Sequence, residues 1–216
     1  ETLVIVVLER PSIESFTIEG NKDIKTEDLE EPLAKIGLKS GRIFDQAVLD
    51  EVEQSLLDQY YSGGKYSAQV ESTVIDLPGN KVAIQIVIKE GKRAKIRQIN
   101  IVGNTIYDDK DILDEIALRT PHFLSFLRKD DLYSREALSG DLEVIRSMYM
   151  DSGYADFQIE STQVAVSPDK KSVFITINIS EGGEYTISEV SLAGDLLLGE
   201  EALRPYLQVA PGQIYS

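Results

Sequence analysis

The amino-acid sequence predicts an α+β protein built of small tandem domains, each a three-stranded mixed sheet covered on one face by two helices. Three observations predict it. A short apolar/polar alternation stopped by Gly-Asn or Gly-Asp occurs as Ile13, Phe16, Ile18, Gly20 and Asn21, then as Ile96, Ile99, Ile101, Gly103 and Asn104. It returns a third time as Ile187, Val190, Leu192, Gly194 and Asp195, and each copy reads as a strand running into a turn. The copies start 83 and then 91 residues apart, too far for a solenoid repeat and about the size of a small domain. Other landmarks keep the same order: Tyr60 to Gly64 and Tyr149 to Gly153 each spell Tyr-x-x-x-Gly, and Glu90-Gly91 and Glu181-Gly182 each close a β-branched run.

Within the first full unit, Thr26 is placed to cap a helix whose apolar positions are Leu29, Leu33 and Ile36, with Glu27 and Asp28 in its first turn. Pro32 lacks a donor and crowds the preceding turn, so this helix is expected to be kinked, short or started late. Asp45 caps a second helix with Val48, Val52, Leu56 and Tyr60 on one face, ended by Gly63-Gly64. The second unit repeats this with Ser134 as cap and Leu138, Leu142, Ile145 and Tyr149 inward. Residues 66–75 and 82–88 then flank a Pro-Gly-Asn turn, and 157–166 and 173–179 flank a Pro-Asp-Lys turn, giving two hairpins. The last strand of each hairpin is the more apolar and belongs in the middle of the sheet, which leaves its predecessor at an edge.

The boundaries that follow are 1–10 for the last strand of a preceding unit, 11–91 and 92–182 for two complete domains, and 183–216 for the start of another. Residues 3–9 resemble the closing run of a unit, and residues 212–216 echo 41–45 ahead of the second helix. A net charge of −15 argues against nucleic acid and against an anionic bilayer surface. No apolar run reaches the length of a membrane-spanning helix, and the absence of cysteine excludes disulfides and thiolate metal sites.

These landmarks resemble the POTRA family, the polypeptide-transport-associated module. Tyr60-Tyr61-Ser62, residues 64–68, 96–104 and 138–143, Ser161 to Val164 and Pro168 to Lys171 are similar, more narrowly, to the second and third POTRA domains of bacterial outer-membrane protein assembly factors. The ends of the chain then match the end of the first domain and the start of the fourth. Pro32 and the stretch Pro121 to Phe126 depart from the family pattern. The resemblance implies a periplasmic scaffold, not an enzyme, without cofactors and meeting the membrane only through a barrel outside this chain. Its implied partners are accessory outer-membrane lipoproteins, unfolded outer-membrane proteins and periplasmic chaperones. An array serving a secretion transporter with one dedicated substrate is the alternative, and a plain structural spacer is a third reading.

Unpaired edge strands can capture an extended chain by β-augmentation. The candidate pairing positions are Gln69, Glu71 and Thr73 in the first unit and Gln158, Glu160, Thr162 and Val164 in the second. The competing reading is a solvated edge protected by its own charge. A long apolar connection containing Phe123, Leu124, Phe126 and Leu127 follows Leu118-Arg119. The family resemblance carries lipoprotein docking to Leu118, Arg119, Glu160 and Val166; the alternative packs Leu118 and the two Phe inward. His122 is the sole histidine and there is no cysteine, so a catalytic dyad or zinc site around it has no obvious members, and it reads as a loop histidine beside Pro121. The acidic cluster at Asp108, Asp109, Asp111, Asp114 and Glu115 lacks calcium-loop spacing and reads as helix capping.

Overall fold

Each β-branched run lies in the middle of a three-stranded sheet in the computed structural model, which describes residues 9–121, 125, 130–194 and 200–216. The chain divides into two units that part between Ala94 and Lys95. Unit one comprises β1 (Ser12–Glu19), α1 (Thr26–Ile36), α2 (Gln46–Ser62), β2 (Gln69–Leu77) and β3 (Lys81–Lys89). Its sheet order is β1-β3-β2, with β1 parallel and β2 antiparallel to β3. Unit two comprises β4 (Lys95–Val102), α3 (Asp109–Glu115), α4 (Arg135–Asp151), β5 (Gln158–Val166) and β6 (Ser172–Ser180), in the order β4-β6-β5 with the same senses. Both are α+β layers with mixed sheets.

The core follows from strand alternation. Val82, Ile84, Ile86 and Ile88 put one face of β3 against Leu29 and Leu33 of α1 and Leu49, Val52, Leu56 and Tyr60 of α2. Val173, Ile175, Ile177 and Ile179 are the buried residues of β6. Each such side chain contributes roughly 1.5–3 kcal/mol by leaving water. Asp45 and Ser134 cap α2 and α4 through hydrogen bonds from Ala47 N–H (3.0 Å) and Ala137 N–H (3.1 Å). Among the described residues no helix is long and apolar enough to cross a membrane.

Several expectations are corrected. Thr26 is the first residue of α1, not its cap, because its hydroxyl accepts from Asn21 at 2.9 Å. The helix continues through Pro32; Pro32 and Asp28, whose carbonyl loses its helical donor, are both exposed, so water can serve that carbonyl. On α2 the buried residue of the first turn is Leu49, with Val48 half-buried. On α4 Asp141 takes the inward position expected for Leu142. β2 begins at Gln69 because residues 65–68 form a turn closed by Ala68 N–H to Lys65 O at 3.0 Å.

The third copy of the repeated phrase forms no strand among its described residues 187–194. In units one and two that strand pairs with a central strand more than 60 residues further on. What the copy does keep is the contact with its own later echo. Ile187 N–H bonds to Gln213 O (2.8 Å) and Gly212 N–H to Ile187 O (2.7 Å), as Ile13 does with Arg42 (2.8 Å) and Gly41 (2.7 Å). Beyond it lie α5 (Glu200–Leu203) and a 3₁₀ turn, Arg204–Tyr206. Residues 3–8, His122, Phe123, Leu124, Phe126, Leu127 and Asp195 lie outside the described residues.

Candidate binding edges and buried carboxylate hubs

Alternate residues of a strand turn their backbone groups to opposite neighbours. In β2 the N–H of Ser72 points outward, because it donates to Glu53 Oε1 of α2 at 3.0 Å. Val70, Ser72 and Val74 therefore face the free edge. Gln69, Glu71 and Thr73 share the opposite parity and bond to β3, while the side chains of Glu71 and Thr73 stand with Val87 and Gln85 on the sheet face away from the helices. Glu71 also pairs with Lys89 at 3.8 Å, an exposed pair of little energetic weight. Glu53 was missed in the sequence, since a half-buried Glu on a helix carries no local sign of capping a neighbouring strand.

The second edge is arranged differently. A register shift lies between Ile159 and Ser161, so Glu160 has no partner on β6 and forms a bulge. The hairpin closes with Ser167 N–H to Ser172 O at 2.9 Å, which fixes the parity: Thr162, Val164 and Val166 turn their backbone groups outward. Thr162 and Val164 are half-buried beside Ile177 and Ile175, on the helix-covered face. Gln158 and Glu160 are exposed, as is Val166. The candidate positions in β5 thus include outward-facing backbone, whereas those in β2 do not.

The candidate docking residues separate likewise. Leu118 is 4% exposed and packs into unit two's own core. Its N–H donates to Asp141 Oδ2 at 2.9 Å, and that of Ala117 to Asp141 Oδ1 at 2.8 Å. Since α3 stops at Glu115, these donors lack helical partners, and the buried carboxylate supplies them. Arg119 is half-buried, with Nη2 donating to Asp114 O at 2.9 Å and its N–H to Asp130 O at 2.9 Å. Asp141 occupies the position held by Val52 in unit one. Asp141→Val is expected to destabilise unit two by about 2 kcal/mol, checked by urea denaturation, because it leaves the buried N–H of Leu118 and the part-buried one of Ala117 without their acceptor.

The repeated landmarks meet at two carboxylates, Glu181 buried and Glu90 half-buried. In unit one Glu90 Oε1 accepts from the N–H groups of Lys22 (2.6 Å) and Asp23 (2.7 Å) and from Tyr60 OH (3.1 Å), while Oε2 accepts from Lys65 Nζ (2.6 Å). Lys65 Nζ also meets Asp23 at 2.6 Å. In unit two Glu181 accepts from the N–H groups of Thr105 (2.8 Å) and Ile106 (3.0 Å), from Tyr149 OH (2.8 Å) and from the Thr105 hydroxyl. The Gly-Asn turn, the Tyr-x-x-x-Gly tyrosine and the Glu-Gly glutamate are therefore one structural device in each unit.

Burial works to raise the Glu90 carboxyl, but the Lys65 hydrogen bond and the N–H groups of Asp23 and Lys22 outweigh it and hold it below the usual carboxylate range. Glu181 is lowered in the same way, its burial outweighed by Thr105, Ile106 and Tyr149. Burial first, and then the neighbouring carboxylates, push the phenols of Tyr60 and Tyr149 up. Both hubs are saturated with partners from their own unit, and they serve structure. Among the described residues no group of three His, Cys, Asp or Glu side chains is placed to hold a metal ion.

Two β-α-α-β-β domains in tandem, each closed by a carboxylate hub and each with a sheet edge available for pairing, define an array of transport-associated modules. The chain belongs to the POTRA family: residues 11–91 and 94–182 each match its model, described as surface antigen variable number repeat. Among curated relatives it is similar to the outer membrane protein assembly factor BamA of Neisseria meningitidis serogroup B, at 32% identity over 215 residues, covering 99% of this chain and 27% of that protein. BamA of Buchnera aphidicola is 29% identical over 216 residues, covering 100% of this chain and 35% of that protein. The chain spans about a quarter to a third of the length of these relatives. Among solved structures, POTRA domains 3–5 of Haemophilus influenzae BamA are 19% identical with a TM-score of 0.47, covering 95% of this chain and 80% of that one.

Proposed function

We propose that this chain is part of a periplasmic scaffold of the outer-membrane β-barrel assembly machinery, holding unfolded outer-membrane proteins and accessory lipoproteins instead of catalysing covalent chemistry. The observation that carries this reading is the edge of β5, where Thr162, Val164 and Val166 turn backbone groups outward that have no partner among the described residues. A client strand that adds here gains backbone hydrogen bonds with little demand on its sequence, which suits many unrelated clients. At β2 the pairing runs through Val70 and Val74 once Glu53 releases Ser72, with Gln69, Glu71 and Thr73 flanking the added strand. On β5, Gln158 and Glu160 flank it in the same way. Lipoprotein docking uses Arg119, Glu160 and Val166, while Leu118 acts from within the core by holding the segment in place. Periplasmic chaperones delivering clients would meet the same edges.

The test is a backbone-assigned NMR titration with an extended peptide copying the last strand of an outer-membrane protein. Shifts are expected over 69–77 and 158–166, and Glu53→Ala should strengthen the response in β2 alone by freeing the Ser72 donor. Binding of one dedicated ligand, with unrelated extended peptides inert, would instead favour a secretion transporter. No shift with any peptide at millimolar concentration would leave a spacer.

A further inference from the structure

The opposite edge of unit one offers a second, chemically different site. The start of β1 is already occupied by its own chain: Ile13 bonds to Gly41 and Arg42, and Glu14 O accepts from Ser40 Oγ at 2.7 Å. Beyond Glu14 the outer side of β1 makes no hydrogen bond among the described residues. Ser12 N–H bonds to Asn80 O on the β3 side at 3.0 Å, and the register shift between Ile13 and Ser15 resets the alternation. Ser15, Thr17 and Glu19 thereby face β3, and Phe16 and Ile18 turn their backbone groups outward. Between this edge and α1 runs an open cleft of about 790 Å³. Its floor includes Phe16, Ile18 and Ala34, and one wall carries Glu27, Glu30 and Glu31, with Lys39 the single basic residue of the lining. Among the described residues, Glu31 alone of the three glutamates has a cation in contact, Lys35 at 2.7 Å.

We propose that this cleft binds an extended polypeptide segment with Lys or Arg at every second position. Added as a strand beside Phe16 and Ile18, such a segment sends alternate side chains into the cleft. The aliphatic stems of Lys or Arg cover the apolar floor, and their charged heads reach the carboxylates of α1. Charge complementarity selects this occupant over an acidic or purely aliphatic one, because three carboxylates face one lysine across the cleft. The inference shares with the proposed function only the premise that these domains take extended chains, and it uses a different edge.

An eight-residue peptide of alternating lysine and threonine, titrated into the 216-residue chain, tests it by NMR. Shifts are expected at residues 16–19 and 27–34. The triple variant Glu27→Gln, Glu30→Gln, Glu31→Gln, all at exposed helix positions, should bind roughly tenfold more weakly. N-methylation of alternate peptide amides should abolish the shifts. Equal binding of an alternating glutamate and threonine peptide overturns the proposed selectivity. Shifts confined to 69–77 and 158–166 overturn the cleft while leaving the proposed function standing. Shifts in the cleft, with those edges silent to every peptide, support the cleft and count against the proposed function.

Discussion

Glu181→Ala is expected to destabilise unit two by roughly 3 kcal/mol at neutral pH, lowering its melting temperature by more than roughly 10 °C. The carboxylate is 8% exposed and takes four hydrogen bonds from two backbone amides, a threonine and a tyrosine. Removing it takes the shared acceptor from all four donors at once, the Tyr149 hydroxyl among them being buried. Glu181→Gln keeps one acceptor and should cost less, yet it removes the titration. The folded-state carboxyl lies below its ordinary value of 4.5, so its stabilising contribution is present above about pH 4.5 and is lost as pH falls through the lower folded value. Denaturation measured at several pH values between 7 and 3 should therefore give a flatter curve for Glu181→Gln than for the natural chain over that acid window. An unchanged acid limb would mean that Glu181 titrates no differently folded and unfolded, and that the hub is no more than a set of hydrogen bonds.

That hub also marks the limit of what could be read in advance. The central strands were legible because Val82 to Ile88 and Val173 to Ile179 must be buried on at least one face wherever they sit, and a hairpin turn precedes each. The repeated Gly-Asn, Tyr-x-x-x-Gly and Glu-Gly were equally visible, but their common purpose was not, since Glu90 finds its amide partners 67 and 68 residues away. Local patterning carries no information about such a meeting. The bulge at Glu160 was hidden for another reason. Gln158 to Gln163 are polar apart from Ile159, so shifting the register by one residue violates no hydrophobic alternation. Leu142 was placed inward because a helix face was assigned by apolarity alone, whereas a carboxylate, Asp141, serving Ala117 and Leu118 takes the inward position that unit one gives to Val52. The edge places of β2 and β5 were thus legible, but which of their residues turn outward depended on parity, which only tertiary hydrogen bonds fix.

Gly20→Ala and Gly103→Ala are expected to cost roughly 3 kcal/mol or more each, well beyond what a positive φ alone demands. A Cβ on Gly20 would stand 2.0 Å from the carbonyl oxygen of Ile88, and one on Gly103 2.2 Å from that of Ile179. Both obstacles are backbone of a central strand, so no side chain can move aside. Gly41 and Gly79 supply the contrast: their φ values, 83° in each case, are also in the left-handed region, but nothing lies within 4 Å of the added carbon. Alanine there should cost only about 1 kcal/mol. Urea denaturation of the four variants separates the two effects. Equal losses would mean that conformation alone requires these glycines, whereas the expected gap assigns the excess to the close approach of the chain just after β1 or β4 to a carbonyl of the central strand. That approach leads the turn after β1 or β4 to its glutamate, where Lys22 and Asp23 meet Glu90, and Thr105 and Ile106 meet Glu181. Opening it by even a few tenths of an ångström should therefore weaken the hub as well, and the glycine and glutamate substitutions within one unit should combine less than additively.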